Sequence, residues 1–513
     1  MPRPKIATDP LLLVAGAGLA SELIYWLIFV RPFPLAALYD TIPPVDYAKL
    51  TGHSVGGAVS FTLAIIALFV GYVIALRALH AIPQDPTSRR WAWGLIFGGT
   101  VLFGATLALA YPTTAIDVLI YAVRTRGWAL YGLNPLATAP QALPGDPWVG
   151  LAAEWADAPS PYGLVWEGIS LLAFRLVSGD FLAHLFALKA ITTLAHLGCA
   201  GLVALTLRRL RPDWALAGTA AFAWNPLALL ESAGNGHNDI LMAFFLLLAV
   251  YFVATDRRWP RPAPDAGQGS GLGTRGWLVI PALTLSIFTK FIPVMVLPFF
   301  LLYLIRQEAS WGRRLAVSAG NLALAAGLGM ALMAPVWPGW QNWAIRSLGE
   351  SAGKSPFTLL VLILRPWLTT NVAFDASRYL LGGLFLLIYL WLAWRALGDP
   401  PTLERVILAP TFGVFFWYLM LPNQQFHAWY LLWPLAMAVL LIPSSAFTRI
   451  VVFGLTALLS ITLYETLRVW WWDILTPLVI HAVAIPFVFG LPLLVGIRDW
   501  RQRALWVLEI GDG

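Results

Sequence analysis

The chain has 513 residues, 59% of them hydrophobic and only 12% charged, against roughly 25% charged in a soluble domain. That composition excludes a soluble enzyme and marks an all-α polytopic membrane protein, read as a single integral membrane domain over 1–513. The net charge of +7 is scattered over short loops, which points to membrane topology and away from nucleic acid, and the one cysteine, Cys199, rules out a disulfide within the chain.

Apolar runs fall at roughly 10–30, 54–80, 92–112, 181–206, 213–232, 238–254, 276–289, 291–306, 315–336, 377–397, 405–421, 429–442, 447–467 and 475–497, a bundle of about 12–14 transmembrane helices. The first run follows Arg3 and Lys5 as a leader's core does. Its length of about 20 residues is enough to span, so it reads as the first helix. The segment 113–162 is a long first external loop carrying amphipathic helices, and 163–178, interrupted by Arg175, reads as an interfacial or half-buried helix. The residues 255–275 form a Pro/Gly/Ser-rich inner linker, the short runs flanking Lys290 suit a broken or re-entrant pair, and 337–375 is a second external loop. The 26 tryptophans suit interfacial belts, and also stacking on sugars.

With the N-terminus in the cytoplasm, the inner loops collect Arg77, Arg89 and Arg90, then Arg208, Arg209 and Arg211, then Arg257, Arg258, Arg261 and Arg275. Further on they collect Arg306, Arg313 and Arg314, then Arg395 and Arg405, Arg449, and finally Arg498, Arg501 and Arg503. This is the bias expected of the cytoplasmic side. Both termini are then inside, and Asp117, Asn235–Asp239, Lys290, the 337–375 loop and His427 share the outer face of the cell membrane.

Asp117 follows directly on an apolar run. Read as a helix, positions 117, 121 and 124 are spaced i, i+4, i+7, so Asp117, Tyr121 and Arg124 share one face. Val118, Leu119, Ala122 and Val123 fill the other, the pattern of a helix lying flat on a membrane. An aspartate there suits a general base for an acceptor hydroxyl, and Arg124 and Arg126 suit a phosphate held bidentately. The structural alternative is an ion pair of Asp117 with Arg124 or Arg126. Asn134-Pro135 follows in the same loop.

The run Trp224-Asn225-Pro226 through Glu231, Asn235, His237, Asn238 and Asp239 sets a polar turn at a helix start. Free N–H groups there attract an anion such as phosphate, and His237 adds a donor. Capping by Asn238 alone needs fewer polar residues than are present. Lys290 suits a lipid phosphate or snorkels to the interface. His427 and Tyr430, within Asn423–Tyr430, offer aromatic faces to a sugar or belong to a belt. No zinc spacing, phosphate loop or dinucleotide fingerprint is present. No cofactor or metal is therefore expected, a divalent ion through Asp239 being the less favoured option.

These residues together resemble the GT-C superfamily of polytopic glycosyltransferases, most nearly its bacterial branch of polyprenol-phosphate-mannose-dependent mannosyltransferases. The likeness rests on Asp117 with Tyr121 and Asn134-Pro135, on Ser160-Pro-Tyr-Gly163, and on the run from Trp224 to Asp239. Thr289-Lys290-Phe291 and His427–Tyr430 extend it, so that it covers about 90–435. The resemblance implies a GT-C-like bundle in which Asp117 deprotonates the acceptor hydroxyl. A sugar, mannose first, then leaves a polyprenyl-phosphate donor with inversion. The acceptor is a lipid-linked or glycan hydroxyl on the outer face. Ile116-Asp117 lacks an adjacent second acid, a departure from the two-acid metal sites of oligosaccharyltransferases. The alternatives are a protein O-glycosyltransferase and a transporter or flippase of a lipid-linked glycan. The transporter predicts internal repeats and mid-membrane charge pairs that the chain does not display.

Overall fold

Helix starts follow local sequence chemistry. The computed structural model describes residues 9–51, 53–143, 145–256, 273–337, 339, 353–471 and 476–495. In it Asp9, Ser54, Asp85 and Asp180 each accept a hydrogen bond from a backbone N–H in the first turn of the helix they precede, satisfying donors that a helix start leaves open. The linker expected at 255–275 falls mainly on 257–272, and the front of the 337–375 loop mainly on 340–352, outside the described residues. Arg3, Lys5, Arg498, Arg501 and Arg503 also lie outside them.

The protein is an all-α polytopic membrane protein. Among the described residues eight helices are long and apolar enough to cross a membrane: Pro10–Val30, Val55–Ala81, Pro86–Ala108, Phe181–Leu210, Trp311–Val336, Thr370–Ala396, Ser445–Trp470 and Pro477–Val495. Backbone groups in hydrocarbon must be satisfied within the segment, which helices do. Leu380, Leu384, Leu387 and Trp391 form an exposed stripe at helical spacing along Thr370–Ala396, a lipid-facing surface.

The other expected spans take shorter forms. Residues 213–232 are divided between the buried helix Ala215–Ala223 and Pro226–Gly234. The latter meets Asp239–Thr255 at a bend of 118°, as one broken span or a re-entrant loop. The runs around Lys290 are helices Gly276–Ile287 and Ile292–Arg306, and 429–442 is Ala428–Leu441, all among the shorter apolar helices. The 163–178 stretch is the helix Leu164–Leu176, and the 337–375 loop contains a helix over Pro356–Leu364.

The chain divides into two compact units. One is drawn from Met1–Tyr251, Ile280–Val294 and Asn321–Glu350, the other from Phe252–Val279, Met295–Gly320 and Ser351–Gly513. In the first unit Pro10–Ile24 packs on Val55–Ala81, and Phe181–Leu210 packs on Ala215–Ala223, whose small side chains permit close approach. Trp224 fills the space above Gly18 and Gly99 and donates its indole N–H to the Ile96 carbonyl at 3.0 Å. In the second unit Thr370–Ala396 packs on Pro356–Leu364 and on Ala409–Met420, and Ser445–Trp471 on Leu432–Ala438 and Pro477–Ile485.

One short non-helical segment positions the acid. Between Ala108 and Asp117 the chain is non-helical, with Leu109 and Tyr111 bonded to Leu35 and Phe33, Pro112 and Thr113 bonded to Tyr47 and Ala48, and a bend at Thr113–Thr114. The fully buried Lys189 donates to the Ala110 carbonyl and, at 3.4 Å, to that of Leu107, tying the end of the Pro86–Ala108 helix in place.

Candidate functional site

Asp117 opens the helix Asp117–Tyr131. Val118 through Thr125 are all buried, the polar face with Tyr121 and Arg124 as well as the apolar one, and the helix packs against Leu164–Leu176, Phe181–Leu210 and Val149–Trp155. The helix expected to lie flat on the membrane surface is covered by protein on both faces over 118–125. The spacing identified the shared face, but what covers that face is the loop before Leu164.

That loop is held by close backbone approach. A Cβ at Gly163 would lie 1.9 Å from the Phe288 carbonyl oxygen, so only glycine fits. There Gly163 and Val165 donate to the carbonyls of Thr289 and Phe288 at 3.1 and 2.9 Å. Tyr162 is thereby set over the start of the Asp117 helix, its hydroxyl donating to Asp117 Oδ1 at 3.3 Å and receiving from Tyr121 at 3.4 Å. Burial first, then the Asp117 carboxylate, holds the Tyr162 phenol well above its ordinary range, and burial with Tyr162 and Asp117 does the same for Tyr121. Both are neutral donors.

The second contribution comes from the break in the Pro226–Thr255 pair. Asn225 caps Pro226, accepting from the Ala228 N–H at 3.1 Å, so Asn-Pro is a helix start. A wide turn over Leu230–Gly234 follows. Gly236 then has φ +74°, and a Cβ there would come within 3.2 Å of Val118 Cγ2, so the turn lies directly on the Asp117 helix. Here His237 faces two carboxylates: Nε2 is 3.6 Å from Asp117 Oδ2 and Nδ1 is 2.9 Å from Glu231 Oε2. With a carboxylate near each ring nitrogen, the charge arrangement is that of an imidazolium between two anions. Glu231 also accepts from the Thr114 hydroxyl at 2.8 Å and the Asn235 amide at 2.7 Å. Asn235 in turn donates to Thr114 Oγ1 and takes the N–H groups of Thr113 and Thr114 at 2.6 and 3.2 Å. Of the three groups in the line Glu231–His237–Asp117 only the Asp117 side chain, 14% exposed, is open.

Beside this line Lys290 Nζ lies 2.8 Å from Asp239 Oδ1 and 5.6 Å from the centre of the Tyr162 ring. Asp239 is fully buried and Lys290 is 14% exposed. The Asn238 amide is fully buried with no hydrogen-bond partner for either polar atom among the described residues.

Arg124, Arg126 and Asn134 make other contacts. Arg124, expected on a phosphate, donates to the carbonyls of Ala158 and Pro159 at 3.0 and 3.3 Å, supporting the Tyr162 loop. Arg126 forks onto Asp146 at 3.1 and 2.9 Å. Burial raises the Asp146 carboxyl, but Arg126, the Trp148 N–H and the Tyr131 hydroxyl outweigh it and the net displacement is downward. Neither arginine is the partner of Asp117 that their spacing suggested. Asn134 bridges the Val336 carbonyl and the Leu136 N–H, a loop support. His427 and Tyr430 belong to the second unit, where His427 stacks on Trp429 at 4.2 Å and Tyr430 on Trp433 at 4.6 Å. Among the described residues no group of three or more His, Cys, Asp or Glu side chains is arranged to hold a metal ion.

Tyr162, Thr113 and Thr114 were not singled out in the sequence as site residues. The signal was present for Tyr162 in the Ser-Pro-Tyr-Gly run, and for the threonines in their place just before the acid.

Compared with known proteins, residues 26–306 match the family alpha-(1->6)-mannopyranosyltransferase, N-terminal domain. The match covers more than half of the chain and includes every residue from Thr113 to Lys290 just described. No curated protein and no solved structure matches the chain.

Proposed function

The chain belongs to the alpha-(1->6)-mannopyranosyltransferase family and is a membrane mannosyltransferase; from that premise we propose that it is a GT-C type enzyme in which Asp117 is the general base. The donor in this reading is a polyprenyl-phosphate-linked mannose. The acceptor is a hydroxyl of a lipid-linked or glycan mannoside, and the reaction takes place on the outer face of the membrane.

The observation that carries the reading is Asp117 itself, the one partly open carboxylate at the end of a buried polar line, oriented by Tyr162 and His237. Asp117 takes the proton as the acceptor O–H breaks. The acceptor oxygen bonds to the anomeric carbon, and the bond to the phosphate oxygen breaks with its electron pair going to the leaving phosphate. Lys290, an ammonium next to the Tyr162 ring, is the cation nearest to hand for that charge. The Asn238 amide, buried and unpartnered, offers a donor and an acceptor to a sugar hydroxyl. Inversion together with an α product requires a β-linked donor.

The test is transfer of radiolabelled mannose from polyprenyl-phosphate-mannose to a mannoside acceptor by the purified protein. Asp117→Asn keeps the shape and removes the base, and is expected to lower kcat by about 10²–10⁴-fold. Transfer by this variant at the wild-type rate would sink the assignment. Activity is expected to survive EDTA; loss with rescue by Mn²⁺ would return Asp239 to consideration as a metal ligand.

A further inference from the structure

Glu231 lies behind the open part of the site. It is fully buried and so does not meet solvent in this structure. The Thr114 hydroxyl and the Asn235 amide donate to it, and with the His237 ring nitrogen 2.9 Å away they replace the water that a buried carboxylate loses. It also holds His237 at two points, since the His237 backbone N–H donates to the Glu231 carbonyl at 3.0 Å while the ring meets the side chain. The imidazole is thereby aimed at Asp117 and has a compensating anion behind it.

We infer that Glu231 is a positioning residue for the reaction, acting through His237 to keep a cationic imidazole against the Asp117 carboxylate. This rests on Asp117 being the base. The physical reason is that an imidazolium beside Asp117 favours its ionised, proton-accepting form. An imidazolium in a fully buried position needs its own counter-charge on the far side. Among the described residues the Tyr162 hydroxyl also faces Asp117, with Tyr121 behind it, and Asp239, paired with Lys290, raises both phenols.

The experiment is the pH profile of mannose transfer from polyprenyl-phosphate-mannose by wild type, Glu231→Gln and Glu231→Asp. In Glu231→Gln the amide no longer supports the imidazolium, so Asp117 is protonated more readily. The acid limb of the profile then moves to higher pH, by about one to three units. The loss is greatest at low pH and shrinks as pH rises. Glu231→Asp, which keeps the charge, holds the limb near its wild-type position. A Glu231→Gln profile lowered equally at every pH, with the limb unmoved, would reduce Glu231 to a support of the turn and overturn the inference. If Glu231→Gln does not yield folded protein, His237→Gln tests the same line from its other end, and an unmoved limb there has the same force. An active Asp117→Asn enzyme would instead defeat the base assignment, so the two failures are distinguishable.

Discussion

Lys290→Met separates the structural from the chemical role of the Lys290–Asp239 pair. In wild type the ammonium is 2.8 Å from a carboxylate with no solvent exposure. Removing the lysine leaves Asp239 buried without that cation, and breaking a buried pair in this way costs about 3–5 kcal/mol. Lys290 is 14% exposed, so water reaches the vacated position in part and the lower end, about 3 kcal/mol, is expected. Lys290→Met/Asp239→Asn removes both charges and is expected to recover most of that stability, because a neutral pair carries no comparable desolvation cost. Catalysis is expected to behave differently. A charge-assisted contact to the donor phosphate of about 2 kcal/mol corresponds to roughly thirtyfold in KM for the donor, and neither variant regains it. The assays are thermal unfolding of detergent-purified protein and KM for polyprenyl-phosphate-mannose, measured on the single and double variants. A double variant with wild-type KM would remove Lys290 from the phosphate site. An unfolding transition unmoved in Lys290→Met would refute the energetic argument for the pair.

Gly163→Ala puts a methyl group 1.9 Å from the Phe288 carbonyl oxygen. The Tyr162 loop has to leave its seat, and the yield of monodisperse protein is expected to fall sharply; a wild-type yield with normal transfer would contradict the close approach. Asp146 is displaced downward from an ordinary value of 3.8, so its contribution to stability is complete above that value and lost as pH falls through the lower folded value. Wild type and Asp146→Asn are expected to differ by a constant amount in unfolding midpoint from pH 7 to 5 and to converge only below 3.8; convergence already near pH 6 would be the wrong sign. The outer-face assignment predicts that a cysteine at the exposed Glu154 reacts with an impermeant maleimide on intact cells, and one at the exposed Thr87 only after lysis. The native Cys199 is fully buried and gives no background; the opposite labelling pattern would invert the topology.

How much of the site was legible in the sequence depends on how local its causes are. The helix at Asp117 rests on its apolar periodicity and the polar turn at Asn235–Asp239 on glycine and capping residues within a few positions, and both were readable, whereas the helix start at Asn225-Pro226 lay inside what read as one apolar run over 213–232. Arg124 and Arg126 show the limit. Helical spacing put Arg124 on the face of Asp117 and made an ion pair plausible, but that face is occupied by Tyr162, and the arginines were drawn to Ala158, Pro159 and Asp146. Periodicity names the residues that share a face and says nothing about what covers it.

The sequence by itself determined a multi-pass helical membrane protein, because hydropathy and the need to satisfy backbone groups in lipid leave few other solutions. It also marked out Asp117, the Glu231–Asp239 cluster and Lys290, since charged groups at such positions carry a cost. Only the tertiary structure decided which of them belong together. Asp117 and His237 are separated by more than a hundred residues, and their meeting depends on Gly236 resting on Val118, on a bend of 118°, and on Gly163 lying against Phe288. Those are contacts between surfaces distant in the chain, and no local preference encodes them.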